Sequence, residues 1–478
     1  MVGLVAGFSL MVVMAVAWHF GRRGSAAQYF FGGGQLNASA AGISGAISMV
    51  SCISFISVPG EVLRLGPSVA AAEIAVMPLV FAFGAWWLRR LPKHAMTPFE
   101  RVRRVHGAGM GRAAALLFIL MRLSWMGLLL HAAGIGLGAL LGVSSLVQHL
   151  LVLALGMLAM AYSSVGGLRS IVITDVFQAA VLVVSALAVI ACAYDMLLSD
   201  GSAVRWPSHW QTPPLLALRP NSRSVVGALL SSGSWWLCVL LADQVLLQRY
   251  FAAGEQRVRA LGVQLVAGTL IWSLIGAVGL VLSLLYTARP DVLGALALTQ
   301  ADSVFPYFVA GTLPPAVRGL VLAAFLAATM SSVDSGLNAV ALIWQRDVQG
   351  VEQEALSVRR GARSTLVVAT LVLAWAFLAG AVAESVFELT ARTTDLMLAP
   401  LACLVALSWQ RSRRLAWFVT TISLVSALLV SFPGLAHPLG VHPPEIDVVW
   451  IRPLSLASAA TVAACALILA RTRSALSP

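Results

Sequence analysis

The sequence predicts an all-α polytopic membrane protein with about thirteen transmembrane helices. Hydrophobic residues make up 59% of the 478 residues, charged residues make up only 10%, and the mean hydropathy is +0.90. A soluble domain carries about 25% charged residues, so this composition excludes an ordinary soluble protein. A helix needs about 20 mainly apolar residues to cross a bilayer. The predicted cores of the spans are 2–20, 37–58, 67–88, 113–142, 145–163, 171–196, 224–242, 258–286, 316–345, 364–384, 386–408, 414–432 and 449–470.

The distribution of basic residues predicts the orientation of these spans. The net charge is +12, and Lys93 is the only lysine. Most of the arginines fall in alternate loops, which the positive-inside rule assigns to the cytoplasm. Examples are Arg22 and Arg23, Arg101 to Arg104, Arg249 to Arg259, Arg359 to Arg363 and Arg411 to Arg414. The N-terminus is therefore expected outside and the C-terminus in the cytoplasm, in the plasma (inner) membrane. Because these arginines sit between apolar spans, nucleic-acid binding is not expected.

Interruptions in two spans predict an internal repeat. The second span carries Ser44, Ser48, Ser51, Ser54 and Ser57 and then Pro59-Gly60. The seventh carries Ser231-Ser232-Gly233-Ser234 at its middle. Interrupted spans at corresponding places in two halves are typical of inverted-repeat transporters. The alternative is that Pro59-Gly60 only ends a helix and the serines pack. The predicted segments are an N-terminal peripheral helix (1–36), a first repeat with spans 2–6 (37–196), an extracellular loop (197–223), a second repeat with spans 7–11 (224–408) and two C-terminal peripheral helices (409–478).

The ninth span carries an unusual polar group at its centre, Ser331-Ser332-Val333-Asp334-Ser335. At about 100° per residue, Ala328, Ser331, Ser332 and Ser335 share one face of a helix. A carboxylate in the middle of a span costs about 2.5–3.5 kcal/mol on insertion scales, so it normally has a partner or a function. Hydroxyls on this face could bind a hard cation. The alternative is a seam of small residues between packed helices.

Three other features limit the class of function. The five cysteines have no CxxC spacing, so neither a disulfide framework nor a metal site is expected. No HExxH or P-loop motif occurs, so an enzyme is not expected. Span 11 contains Glu388, Arg392 and Asp395, which are spaced to interact along one helix. They form either a self-neutralised cluster or a site where Arg392 binds an anionic or polyhydroxyl solute.

Four segments resemble segments of the sodium/solute symporter family, and they occur along this chain in the same order as in the family. They read YSSVGGLRSIVITDVFQA from Tyr162, DQVLLQRYFAAG from Asp243, AFLAATMSSVDSGLNAV from Ala324 and SCISFISVPGEVLRLGP from Ser51. This resemblance covers nearly the whole chain. It implies a LeuT-like five-plus-five core with two broken helices and transport by alternating access, driven by Na⁺. The expected function is sodium-coupled import of a small polar organic solute, such as a sugar, an acidic sugar or a monocarboxylate.

The resemblance also implies site residues. The principal sodium site of the family would use the backbone carbonyls of Val50, Ile53 and Ala328 and the hydroxyls of Ser331 and Ser332 in this chain. A second cation site, described for some members of the family, would fall at Asp175, Asp334 and Ser335. The implied substrate-binding positions are Cys52, Ser54, Ser57, Glu73, Trp236 and Arg392.

Asp334 departs from the family pattern, which has a hydroxyl at this position in those members. Two carboxylates that share one site repel each other, so a proton could replace one ion. A proton-linked carrier is therefore one alternative function, and a transporter-like membrane sensor is another. Since the sequence ends soon after the last span, no signalling module is expected. The protein is expected to work as a monomer in the lipid bilayer, with Na⁺ and the solute as its partners.

Overall fold

The computed structural model contains only helices and loops among the residues that it describes. These residues are 2–21, 25–34, 36–92, 97–199, 205–210, 212–219, 223–293, 301–382, 386–410 and 412–476. The apolar character of the chain explains this architecture, because a helix satisfies all of its backbone hydrogen bonds within one segment in a bilayer.

Nineteen α-helices lie in the described ranges. They are α1 (Val2–Gly21), α2 (Ala26–Phe31), α3 (Ala38–Ser48), α4 (Cys52–Leu65), α5 (Ser68–Ala75), α6 (Met77–Arg90), α7 (Pro98–His106), α8 (Ala108–Leu141), α9 (Ser145–Ser199), α10 (Val225–Ala242), α11 (Gln244–Ala252), α12 (Arg257–Ala288), α13 (Pro290–Leu293), α14 (Ala301–Thr312), α15 (Pro315–Ile343), α16 (Val358–Val382), α17 (Val386–Leu407), α18 (Arg413–Ser431) and α19 (Ile451–Leu476).

The number of membrane spans agrees with the sequence prediction once one long helix is counted as two. Eleven helices in the described part of the chain are long and apolar enough to cross a membrane, and the bent pair α3–α4 brings the number to twelve. Helix α9 has 55 residues and a non-helical backbone at Gly167. At 1.5 Å per residue it is about 80 Å long, which is enough for two crossings. The predicted spans 5 and 6 both lie in α9.

One of the two predicted helix breaks is present. Helices α3 and α4 form one span that bends by 66° at its centre, and residues 49–51 between them are not helical. The predicted break in the seventh span is wrong, because α10 is continuous through Ser231–Ser234. The polar side chains there find partners without unwinding the helix. The Ser234 hydroxyl donates to the carbonyl oxygen of Ser231 at 2.9 Å, and Ser232 donates to the carbonyl oxygen of Glu73 at 2.8 Å.

Helix α15 lies at the centre of the helix bundle. Every residue from Val321 to Ile343 is buried, and the helix packs against α1, α8 and α9. A helix that is apolar on all sides is expected in the interior rather than at the lipid surface. The polar group of the ninth span therefore lies inside the protein, where its side chains need protein partners.

Four helix ends lie near the predicted limits of the two repeat segments, and the division of the chain into these segments remains a prediction. Helix α3 begins at Ala38, α9 ends at Ser199, α10 begins at Val225 and α17 ends at Leu407. These positions lie within a few residues of the predicted limits of 37–196 and 224–408. The inverted symmetry between the two halves remains a prediction.

The backbone conformation at position 167 requires glycine, which a substitution can test. Gly167 has φ 64° and ψ 176°, a region that essentially only glycine adopts. An added Cβ would also lie 2.8 Å from Cα of Tyr29. We expect Gly167→Ala to cost roughly 1–3 kcal/mol of stability, measured as a lower unfolding temperature of the purified protein.

The matched control is Gly109→Ala in the first turn of α8. No heavy atom lies within 4 Å of the position that a Cβ on Gly109 would take, and alanine is the better helix former. The unfolding temperature of this control should not fall. Equal unfolding temperatures for the two variants would show that an alanine side chain at position 167 does not strain the backbone, which would contradict the prediction.

Candidate functional site

The break between α3 and α4 exposes backbone oxygens in the middle of the bundle. Met49 ends α3 with its N–H directed to the carbonyl oxygens of Ala46 and Ile47. Ser51 begins α4 and accepts a hydrogen bond from the backbone N–H of Ser54 at 3.3 Å. The last carbonyl groups of a helix have no partner within the helix, so those of α3 must be satisfied from elsewhere.

Two hydroxyls of α15 reach these oxygens. Ser332 Oγ donates to the carbonyl oxygens of Ser48 at 3.1 Å and Val50 at 3.3 Å. Ser331 Oγ lies 3.4 Å from the carbonyl oxygen of Ile47 and 3.2 Å from that of Ala328. The structure thus brings together two hydroxyls and four backbone carbonyls, all of them neutral oxygen groups.

This cluster contains four of the five predicted sodium ligands, namely Val50, Ala328, Ser331 and Ser332. The fifth, Ile53, follows the break on the first turn of α4, and its carbonyl oxygen accepts a hydrogen bond from Ser57 Oγ at 2.9 Å. The carbonyl groups of Ile47 and Ser48 were not predicted. Their side chains give no signal in the sequence, because the chemistry is that of the backbone at the end of a helix.

The predicted second cation site surrounds a buried arginine. Arg249 belongs to α11, and its side chain is 1% exposed. Its Nη2 atom lies 3.0 Å from Asp175 Oδ2, 2.8 Å from Ser48 Oγ and 2.6 Å from Ser335 Oγ. Its Nε donates to Ser44 Oγ at 2.7 Å. The expectation that Arg249 belongs to a cytoplasmic loop is therefore wrong, because its guanidinium group is buried among side chains of α3, α9 and α15.

Asp334 lies next to this cluster. Its Oδ1 atom accepts a hydrogen bond from Ser335 Oγ at 3.1 Å. Its Oδ2 atom is buried and has no hydrogen-bond partner among the described residues, and the same is true of Asp175 Oδ1. Ser335 thus links Asp334 to the guanidinium group of Arg249.

A cavity of about 640 Å³ lies beside the helix break. Several segments contribute to its wall, including the break itself, α4, α5, α8, α10, α12, α17 and the chain before α19. The side chains combine tryptophans, hydroxyls and charges. They include Ser51, Ile53, Ser54, Ser57, Glu61, Arg64, Glu73, Trp125, Arg223, Ser231, Ser232, Trp235, Trp236, Trp272, Thr390, Thr394, Asp395 and Arg452.

Four of the six predicted substrate-binding residues line this cavity, namely Ser54, Ser57, Glu73 and Trp236. Cys52 does not, because its Sγ atom points to the carbonyl oxygen of Leu129 on α8 at 3.7 Å. Arg392 does not line it either. Its Nη2 atom lies 2.6 Å from Glu388 Oε1.

The structure adds charged residues that the sequence did not indicate. Arg452 at the start of α19 forms an ion pair with Asp395, and its Nη2 atom donates to Ser231 Oγ at 2.9 Å. Arg223 lies 3.2 Å from Glu61. Asp395 was expected to interact with Arg392 on its own helix. The presence of Arg452 near an apolar span was a possible signal, but its partner lies in a distant segment.

Comparison with known proteins decides the family. The model of the sodium:solute symporter family matches residues 29–425, which is most of the chain. The chain belongs to the sodium:solute symporter family. It is a Na⁺-coupled solute symporter of this family and not an enzyme.

Individual relatives of this symporter carry different solutes. The sodium/sialic acid symporter NanT of Aliivibrio fischeri is 27% identical over 369 residues, which cover 71% of this chain and 68% of the relative. The human sodium/iodide cotransporter is 26% identical over 383 residues, which cover 74% of this chain and 56% of the relative. The mouse sodium-coupled monocarboxylate transporter 1 is 25% identical, with 71% and 57% covered.

Solved structures confirm the LeuT-like fold. The symporter is similar to a Na⁺-coupled sialic acid symporter in a substrate-bound outward-open state, with a TM-score of 0.76, 19% identity and coverage of 97% of this chain and 96% of that chain. It is also similar to Mhp1, a nucleobase-cation-symport-1 family transporter, with a TM-score of 0.52, 15% identity and coverage of 91% and 92%.

The buried pair of Arg249 and Asp175 makes a testable prediction about stability. Removing one partner leaves an uncompensated buried charge, which costs about 3–5 kcal/mol. We therefore expect Arg249→Gln and Asp175→Asn each to lower the unfolding temperature strongly. The double variant should recover part of the loss, because neither charge then remains alone.

The control is the more exposed pair of Glu388 and Arg392, whose side chains are 49% and 28% exposed. Exposed ion pairs contribute about 0–1 kcal/mol, so Arg392→Gln should change the unfolding temperature little. If the double variant of Arg249 and Asp175 is as unstable as the sum of the single variants, the two charges do not stabilise each other.

Proposed function

We propose that the symporter binds Na⁺ at the helix break. The proposed ligands are the carbonyl oxygens of Val50, Ile53 and Ala328 and the hydroxyls of Ser331 and Ser332. Support comes from the close approach of the two hydroxyls to the break, at 3.1–3.4 Å from its carbonyl oxygens. Neutral oxygens suit a monovalent ion that must leave in every cycle, since added carboxylates would favour divalent ions.

We propose that the cavity beside the break binds the solute. The single observation that carries this proposal is that the helix break contributes both to the proposed sodium site and to the wall of the cavity. Met49, Ser51 and Ile53 all line the cavity, while the carbonyl oxygen of Val50 is a proposed sodium ligand. An ion that orders the break would therefore also order the solute site, which is the physical basis of coupling.

A single sodium ion per cycle is the stoichiometry that the contacts favour. The guanidinium group of Arg249 already interacts with Asp175 and Ser335, which are two of the three residues of the predicted second cation site. A sodium ion placed there would lie beside a buried positive charge, where repulsion is strong because the local dielectric constant is low.

The solute is proposed to be a small polar organic compound. The cavity offers hydroxyl groups as hydrogen-bonding partners and tryptophan faces for stacking. The argument for an anionic solute depended on Arg392, which lies outside the cavity. Relatives that are named for sialic acid and monocarboxylate transport support a small organic solute.

The orientation is also a proposal, with the N-terminus outside and the C-terminus in the cytoplasm. It rests on the loop arginines and the positive-inside rule. In this orientation, cavity residues such as Arg64 and Arg223 lie near the outer ends of their spans. Alternating access would then carry the solute from this side to the other.

The sodium site is tested with Ser331→Ala and Ser332→Ala. Each variant removes one hydroxyl ligand and should raise the Na⁺ concentration for half-maximal effect about tenfold, which corresponds to about 1.4 kcal/mol. The measurement is the thermal unfolding of the purified protein across a Na⁺ titration, since a bound ion stabilises the folded state. Wild-type data should fit one site.

Thr370→Val on α16 is the matched control. The exposed Thr370 hydroxyl donates to the carbonyl oxygen of Leu366 at 2.9 Å, within its own helix, so its loss should leave the Na⁺ titration unchanged. An unchanged titration in both serine variants would refute the proposed sodium site. Titration data that require two sodium ions would refute the single-ion stoichiometry.

A further inference from the structure

Four of the six charged side chains that line the cavity form ion pairs with each other. Three carboxylates and three arginines line it, namely Glu61, Glu73, Asp395, Arg64, Arg223 and Arg452. Glu61 pairs with Arg223, and Asp395 pairs with Arg452. Within the described ranges, neither Glu73 nor Arg64 takes part in an ion pair. One carboxyl side chain and one guanidinium group of the cavity wall are therefore left outside these ion pairs.

Glu73 is held in the wall with its backbone fixed. It lies on α5, is half-buried, and its carbonyl oxygen accepts a hydrogen bond from Ser232 of α10 at 2.8 Å. The two arginines that could have neutralised it, Arg223 and Arg452, each contact another carboxylate. A carboxylate in a partly desolvated cavity gains most from a cationic partner.

Aromatic side chains surround the same space. Trp125 of α8, Trp235 of α10 and Trp272 of α12 line the cavity and are each half-buried. The face of a tryptophan ring attracts a cation, most strongly where water is excluded. Carboxylate and tryptophan faces together are the chemistry that recognises a positively charged nitrogen.

Arg64 supplies the complementary charge. It lies at the C-terminal end of α4, and its Nε atom is buried without a hydrogen-bond partner among the described residues. A guanidinium group binds a carboxylate through paired N–H donors. Its presence balances the charge of Glu73, so the cavity suits a solute without net charge.

We propose that the solute is a zwitterion that carries a positively charged nitrogen and a carboxylate, as in an amino acid or a betaine. Glu73 binds the nitrogen between the tryptophan faces, and Arg64 binds the carboxylate. This inference rests on the proposed function of the cavity as the solute site. It differs from the expectation of a sugar or an anion, because those solutes leave the charge of Glu73 without a partner.

The experiment is a thermal-unfolding assay of the purified full-length protein with matched probes. The zwitterions are L-alanine and glycine betaine. Their partners are isobutyrate and tert-butylacetate, in which carbon replaces the charged nitrogen at nearly the same shape. Sialic acid and D-glucose complete the set. Each probe is measured in Na⁺ and in K⁺. We expect at least one zwitterion to stabilise the protein in Na⁺, while its carbon analogue does not.

Variants then assign the effect to Glu73. Glu73→Gln keeps the shape of the side chain but removes its charge. It should weaken binding of the zwitterion at least about tenfold, because a hydrogen bond between two charged groups is stronger than one to a neutral amide. Glu388→Gln is the control, because this carboxylate lies outside the cavity and pairs with Arg392. It should leave the affinity unchanged. The Na⁺ titration without solute shows whether Glu73→Gln is correctly folded.

Several outcomes would overturn the inference. These are no stabilisation by either zwitterion, equal stabilisation by the carbon analogues, a response to sialic acid or D-glucose alone, or full affinity in Glu73→Gln. A Na⁺-dependent response to a nitrogen-free solute would refute the zwitterion and leave sodium coupling intact. A zwitterion response that is lost in Glu73→Gln but equal in Na⁺ and K⁺ would instead support the zwitterion and refute sodium coupling.

Discussion

The structure depends on satisfying the polar backbone of one broken helix inside a membrane. An unpaired backbone group in hydrocarbon costs several kcal/mol, and the span formed by α3 and α4 opens its hydrogen-bond ladder at residues 49–51. Ser331 and Ser332 of α15 supply the missing contacts. This requires α15 to be buried and close to the break. The same contacts gather neutral oxygens in one place, which is the place where we propose that Na⁺ binds.

Charges deep in the bundle follow a related rule. Each of three buried or nearly buried arginines contacts a carboxylate from a different helix or helix end, in the pairs Arg122–Asp243, Arg249–Asp175 and Arg452–Asp395. A charge taken out of water is tolerated when it is paired and hydrogen-bonded. These pairs join segments that are far apart in the sequence. Against this background, Glu73 and Arg64 form no ion pair within the part of the chain that the structure describes, and they are the cavity groups that we propose bind the solute.

Prediction from the sequence succeeded where the signal is local. Helical periodicity placed Ala328, Ser331 and Ser332 on one face, and the structure shows the two hydroxyls and the Ala328 carbonyl together at the break. The spacing of Glu388 and Arg392 predicted their contact, which is present. Prediction failed at α10, where a Ser/Gly group suggested a break. In a helix interior, serine hydroxyls can bond to the preceding turn, so composition alone does not distinguish an unwound segment from a continuous one.

The sequence by itself determined the helices, the approximate number of spans and the polar face of α15. Each of these depends on hydropathy and on hydrogen bonds within one segment, which act locally along the chain. Only the tertiary structure decided that Arg249 is buried against Asp175, that Arg452 rather than Arg392 reaches Asp395, and that Glu73 has no ion-pair partner among the described residues. These pairings depend on which helices pack together, and a side chain in one helix carries no local sign of its partner in another.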